Sequence, residues 1–206
     1  MTDRVKIGCA ILAGGNNLRV GGEDKAFIEI GGIPIIERIF AAINSLFDEV
    51  LVISNRPEAY SRFQNVQVRP DKIPGKGPLG GLYTALHFTT SDALFILACD
   101  MPYINPGMIR TLRDLYRKSP GNSLVPRHSA ATQPAGSHRL EPLFSIYPHS
   151  LLPLVETLVF ESKELSMIGF LQKISTTFYD LPEDEETISS FMNLNTGSGE
   201  LPYSLI

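Results

Sequence analysis

The run Leu12-Ala13-Gly14-Gly15-Asn16-Asn17-Leu18-Arg19-Val20-Gly21-Gly22-Glu23-Asp24-Lys25 constrains this chain more than any other stretch. It follows the apolar segment Ile7 to Leu12, which reads as a first buried strand. Four glycines, with no Cβ to clash, let the backbone turn tightly and approach a ligand closely. Arg19 and Lys25 add two cations to a loop rich in N–H donors. Such a loop favours a polyanion, and a nucleoside triphosphate fits best. It is not a Walker A loop, because Gly-Lys-Ser/Thr is missing and the lysine follows an aspartate.

Around that loop the pattern is of an α/β sheet with helices on both faces, a three-layer α/β/α sandwich whose sheet is mostly parallel and Rossmann-like. The segments 7–12, 50–53, 66–68, 93–99 and 123–125 read as strands, and 34–47, 57–63, 79–88 and 106–117 as the helices between them. Pro34, Pro57 and Pro106 stand where helices begin, a position that tolerates proline. Further on, 143–147 and 175–179 read as strands, 151–160 and 165–171 as helices, 127–139 as a surface loop and 182–186 as an acidic turn. A length of 206 residues, 43% of them apolar, suits a single domain over 1–206.

The formal net charge of −4 argues against a general nucleic-acid surface, so an anionic substrate has to be met by local cations. Cys9 and Cys99 each lie in or at the end of an apolar run and read as core thiols in a reducing compartment. Neither Cys-x-x-Cys nor clustered histidines point to zinc. The sequence shows no secretory signal and no apolar run of membrane-spanning length, so a cytoplasmic protein without membrane partners is expected.

Asp100 is the second anchor. It ends the apolar run 93–99 and precedes Met101-Pro102. Ligands in open α/β sheets bind beyond the carboxyl ends of the strands, where both Asp100 and the first loop fall. A carboxylate beside a triphosphate is a natural Mg²⁺ ligand, since that ion takes one or two carboxylates plus phosphate oxygens. Read alone, Asp100 is as well explained as a helix-capping or loop aspartate. A third element, Arg69-Pro70-Asp71-Lys72 followed by Gly75-Lys76-Gly77-Pro78-Leu79-Gly80-Gly81-Leu82, also follows a strand and opens a helix. Its glycines match G-x-G-x-x-G, which raises a nicotinamide-dinucleotide dehydrogenase as a competitor. Pro70 to Pro74 separate those glycines from their strand, however, and that reading leaves Arg19 and Lys25 without a role. Asn55 ends the second strand, and Asn193 and Asn195 share a side if their segment is extended. Taken alone, all three are ordinary turn asparagines.

Together, Leu12-Ala-Gly-Gly-x-x-x-Arg19-x-Gly-Gly-x-Asp24-Lys25, Pro78-Leu-Gly-Gly-Leu82, Cys99-Asp-Met-Pro-Tyr103 and Asn193-x-Asn-Thr196 resemble the molybdenum cofactor guanylyltransferase family in order and spacing, over nearly the whole chain. The resemblance implies transfer of GMP from GTP to molybdopterin carrying molybdenum, with release of pyrophosphate, and contact with other molybdenum cofactor enzymes. By position, Leu12, Ala13, Gly14 and Gly15 would meet the nucleotide through main-chain groups, together with Asn55, Asp71 and Gly80. Arg19 and Lys25 would hold phosphates, Asp100 would bind Mg²⁺, and Asn193 and Asn195 would face the pterin. The part up to about residue 120 would then bind nucleotide and the part from about 121 the acceptor. The chain departs from the family at Val20, Ile53, Lys163 and Gly197, and the family's C-terminal helix is expected to be largely absent. Lysine cannot make arginine's bidentate phosphate contact, so pterin-phosphate binding at Lys163 is expected to differ. A cytidylyl- or sugar-nucleotidyltransferase shares loop, metal and reaction type, and a non-catalytic nucleotide-binding regulator would share only the binding.

Overall fold

A computed structural model of the chain describes residues 4–14, 24–128, 139–162 and 166–191. After β1 (Ile7–Leu12), the short strands β2 (Glu29–Ile30) and β3 (Ile33–Pro34) pair with each other as a separate small hairpin. The main sheet joins β1 to β4 (Val50–Ile53), β5 (Gln67–Arg69), β6 (Ala93–Ala98), β7 (Ser123–Arg127), β8 (Phe144–Pro148) and β9 (Thr176–Asp180). Its seven strands lie in the order β5-β4-β1-β6-β8-β7-β9. The neighbours β5–β4, β4–β1, β1–β6 and β7–β9 are parallel, while β8 runs antiparallel to both β6 and β7. The expectation of a mostly parallel α/β sheet is met, with one reversed strand.

β1 and β6 are buried along their whole length, the mark of strands covered on both faces. Alternate side chains of β1 enter different cores. Cys9 and Ile11 meet α1 (Ile35–Ile43) and α3 (Pro106–Lys118) on one side. Ala10 and Leu12 meet α2 (Gly77–Phe88), α4 (Leu152–Glu161) and α5 (Met167–Leu171) on the other. The period of two along the strand thus builds the three layers. Asn105 caps α3 by accepting from the backbone N–H of Gly107 (2.7 Å) and Met108 (3.2 Å), and Pro106 occupies the first helical position.

Several local expectations give way. The helix expected over 57–63 is a single 3-10 turn, Pro57–Tyr60, because the chain must reverse within a few residues to enter β5. The helix expected over 34–47 ends at Ile43, where Asn44 leaves helical dihedrals. The acidic segment 182–186 is no mere turn but leads into α6 (Glu185–Ser190), which Asp184 caps by accepting from Thr187 N–H at 2.7 Å. The hairpin of β2 and β3 stands where no strand is expected. Its turn, Gly31-Gly32, has φ of +59° and +74°, a conformation that favours glycine at both places. The loop expected over 127–139 lies largely outside the described residues, as does the C-terminal stretch from 192.

Candidate active site

The strand order reverses direction between β1 and β6: the chain leaves β1 toward β4 on one side, while β6 and its successors lie on the other. Carboxyl ends of strands at such a switch point leave a crevice between diverging loops. Leu12 pairs in register with Ala98, and Cys99 N–H donates to the Leu12 carbonyl at 3.3 Å. Gly14 and Asp100, each two residues beyond that pair, therefore emerge side by side although far apart in sequence.

A cleft of about 250 Å³ opens there, lined by Leu12, Gly14, Ile53, Asp71, Gly77, Pro78, Gly81, Cys99, Asp100 and others. Its floor is the ends of β1, β4 and β6, and its wall is the start of α2. No side chain caps α2, and Gly77 at its start has φ of +61°, which favours glycine. That helix end therefore presents main-chain donors and the positive end of its dipole to the cleft. Ala13 N–H donates to the Ile53 carbonyl at 2.9 Å, tying the first loop to the end of β4.

Beyond the described gap, Asp24 and Lys25 return as the start of a 3-10 turn, Lys25–Phe27. Asp24 is buried and caps this turn, accepting from Ala26 N–H at 3.1 Å. Burial pushes its carboxyl above the ordinary range, while the Ala26 hydrogen bond and the charge of Arg56 pull it back. The Cys99 thiol on the cleft floor is likewise pushed up, by burial first and then by the charges of Asp100 and Asp24, with Lys25 acting in the opposite sense. Asp24, Lys25, Asp100 and the end of β6 thus share one electrostatic neighbourhood.

Of the residues expected from the sequence, Leu12, Gly14, Asp71 and Asp100 line the cleft, and Ala13 is buried beside it. Asn55 is not among the lining residues but touches one of them: its side-chain oxygen accepts from Asp71 N–H at 2.9 Å. Gly80 is buried within α2 and faces the loop before the helix. A Cβ there would come within 2.8 Å of Lys76 Cβ and 3.3 Å of the Ile73 carbonyl, so its lack of a side chain lets that loop lie against the helix. Gly15, Arg19, Asn193, Asn195 and Lys163 lie outside the described residues. No sequence pattern points to Leu143, which closes the cleft from the segment before β8, nor to Thr84, whose hydroxyl reaches Asp71.

Among the described residues, no group of three or more His, Cys, Asp or Glu side chains gathers as a metal cage. The cleft offers two half-buried carboxylates, Asp71 and Asp100, a donor type that suits a hard cation completing its shell with phosphate oxygens and water. Both cysteines are buried thiols, as expected: Cys9 within β1 and Cys99 just past the end of β6, on the cleft floor. No helix among the described residues is long and apolar enough to cross a membrane.

Comparison with known proteins places these features. The domain family described as MobA-like NTP transferase domain matches residues 9–175. A Clostridium perfringens protein named "Probable molybdenum cofactor guanylyltransferase" is 33% identical over 196 residues, which cover 93% of each chain. The molybdenum cofactor guanylyltransferase of Syntrophotalea carbinolica is 30% identical over 195 residues, covering 93% of this chain and 88% of its own. The crystal structure of molybdopterin-guanine dinucleotide biosynthesis protein A from Archaeoglobus fulgidus superposes with a TM-score of 0.73 at 23% identity, over 92% of this chain and 93% of that one, and shares its fold. The chain belongs to the MobA-like NTP transferase family, and it is a nucleotidyltransferase.

Proposed function

We propose that this enzyme transfers GMP from GTP to molybdopterin carrying molybdenum, with release of pyrophosphate. The observation that carries the reading is the emergence of Gly14 after β1 and of Asp100 after β6 into one cleft at the switch point. The names of relatives at 30% and 33% identity over more than nine-tenths of the chain support the same substrates.

The terminal phosphate of the acceptor is already an anionic nucleophile, so the chain needs no serine, cysteine or histidine nucleophile. Its work is to hold two polyanions in line, so that a phosphate oxygen attacks the α-phosphorus as the bond to the leaving pyrophosphate breaks. Lys25, together with Arg19, holds phosphates, and the main chain of residues 12–15 cradles them. The N–H groups at the start of α2 and the Asp71 carboxylate hold the nucleoside end. Asp100 would hold Mg²⁺, which would neutralise charge on the triphosphate. Asn193 and Asn195 take the acceptor, so residues up to about 120 serve the nucleotide and the remainder the acceptor within one domain. Two buried thiols fit a reducing, cytoplasmic setting.

The test is pyrophosphate release with purified molybdenum-loaded molybdopterin and each of the four nucleoside triphosphates, with and without Mg²⁺. GTP is expected to be preferred and the reaction to require the metal. Asp100→Asn and Lys25→Ala are each expected to lower turnover roughly a hundredfold, the scale of losing one preorganised charge partner. Near wild-type turnover in both variants would remove the role assignments, and a preference for CTP would reassign the nucleotide.

A further inference from the structure

Asp71 sits in the loop between β5 and α2, half-exposed at the mouth of the cleft, and it is held from two sides. Its backbone N–H donates to Asn55 Oδ1 at 2.9 Å, which fixes the loop to the end of β4. Its Oδ1 accepts from Ile73 N–H at 3.1 Å and lies 3.0 Å from the hydroxyl of Thr84, two turns into α2. Thr84 is wholly buried. Its oxygen also accepts from Lys72 N–H at 3.1 Å, so two consecutive loop residues are pinned to one hydroxyl. The hydroxyl proton has two acceptors at 3.0 Å, Asp71 Oδ1 and the Gly80 carbonyl, and the ionised carboxylate is the stronger.

A threonine inside a helix usually satisfies its hydroxyl on the carbonyl four residues back and has no need of a further partner. Here the Gly80 carbonyl is within reach at 3.0 Å, and the same hydroxyl also reaches beyond its helix to a cleft carboxylate. Oδ1 of Asp71, a residue that lines the cleft, is thereby held by Thr84 and Ile73, which restrains the carboxylate before any ligand arrives. Preorganisation of this kind lowers the entropy lost on binding.

We propose that Thr84 is a positioning residue for the nucleotide site: acting through Asp71, and with Asn55 as the second jaw, it sets the carboxylate that meets the nucleoside triphosphate. This rests on the functional reading above, in which Asp71 contacts the nucleotide. Thr84→Val keeps shape and burial but removes the hydroxyl, freeing the loop and the Asp71 side chain to wander.

The experiment measures GTP affinity by calorimetry in the presence of Mg²⁺, together with KM and kcat, for the wild type, Thr84→Val, Thr84→Ser, Asp71→Ala and the Thr84→Val/Asp71→Ala double variant. Thr84→Val is expected to raise Kd and KM roughly tenfold, as for a lost hydrogen bond to a charged group, with the loss falling on KM rather than kcat. Thr84→Ser restores affinity to within about threefold of wild type. The double variant binds no more weakly than Asp71→Ala, because Thr84 works only through that carboxylate. Additive losses, or unchanged affinity in a folded Thr84→Val, overturn the proposal while leaving the functional reading in place. Failure of the wild type to bind any nucleoside triphosphate removes both. If Thr84→Val does not fold, the exposed Asn55→Ala takes its place in the same cycle with Asp71→Ala, where additivity again refutes the clamp.

Discussion

Asp24 carries opposed demands on one side chain. Its carboxylate is buried, caps the turn that starts at Lys25, and is pushed above its ordinary value of 3.8 chiefly by desolvation. A carboxyl raised in the folded state favours folding most below the unfolded pKa, and that advantage is lost as pH rises through the folded value. At neutral pH the buried charge is therefore a net cost. An asparagine in place of this aspartate would keep the cap, since its side-chain oxygen accepts from the same N–H, and would shed the charge. Asp24→Asn is thus expected to melt a few degrees above wild type at pH 7 and to lose that margin as pH approaches about 4. A melting curve lower than wild type at pH 7 would show that the charge is instead stabilised by its neighbours. Cys99 poses the converse case, a side chain on the cleft floor with no chemistry assigned to it. Cys99→Ser puts a hydroxyl among apolar neighbours and is expected to cost about 1–3 kcal/mol in urea unfolding while leaving kcat within about threefold. Loss of turnover in a folded Cys99→Ser would give the thiol a chemical part. Neither the pinning of Asp71 by Thr84 nor the closure of the cleft by Leu143 is legible beforehand, because both are contacts between segments that no local pattern links.

Element ends are legible wherever a residue type has a backbone reason to be there. The double glycine at 31–32 between Ile30 and Ile33 is such a hairpin signal, overshadowed by the short strands on either side, and both residues adopt the positive φ that these turns demand. Asn105-Pro106 marks the start of α3, by cap and by fixed φ. The reversal of β8 is not legible, since a buried apolar strand has the same composition in either direction and its pairing is set by where the chain returns from. The end of α1 carries a prediction of its own. After Asn44 leaves the helix, Ser45 takes φ of +58°, the left-handed place where helices commonly end on glycine. A side chain there costs about 1–2 kcal/mol. The Ser45 hydroxyl donates to Asn44 Oδ1 only at a long 3.4 Å and offsets little of that strain. Ser45→Gly is expected to stabilise the protein by about 0.5–1 kcal/mol, less than the strain because glycine also loosens the unfolded chain. Ser45 lies before β4, at the end of the sheet away from the cleft, so KM and kcat should not move. A urea midpoint unchanged or lowered by Ser45→Gly would mean that the turn is held by contacts that serine supplies.

One sheet divides two apolar cores across the molecule, and the site lies where the sheet's winding changes sense. That arrangement explains why so much of the site can be anticipated: the strand ends at Leu12 and Ala98 are fixed by burial, and whatever follows them must share a rim. It also sets an electrostatic problem, because a chain with a formal net charge of −4 has to attract a substrate bearing several negative charges. Long-range attraction is therefore not available, and on the proposed reading binding depends on cations close to the phosphates, Lys25 among them. Added salt shrinks the screening length from about 10 Å at 0.1 M to about 3 Å at 1 M, so contacts at the rim weaken more than those buried on the cleft floor. Between about 0.05 and 0.5 M KCl, with Mg²⁺ saturating, KM for GTP is expected to rise several-fold while kcat stays within about twofold. Lys25→Ala should bind more weakly and show a flatter salt dependence, because part of the screened attraction has already been removed. An equally steep salt dependence in Lys25→Ala would place the phosphates elsewhere on the rim. A KM that falls with salt would mean that repulsion from the chain's net charge, rather than local attraction, governs approach to the cleft.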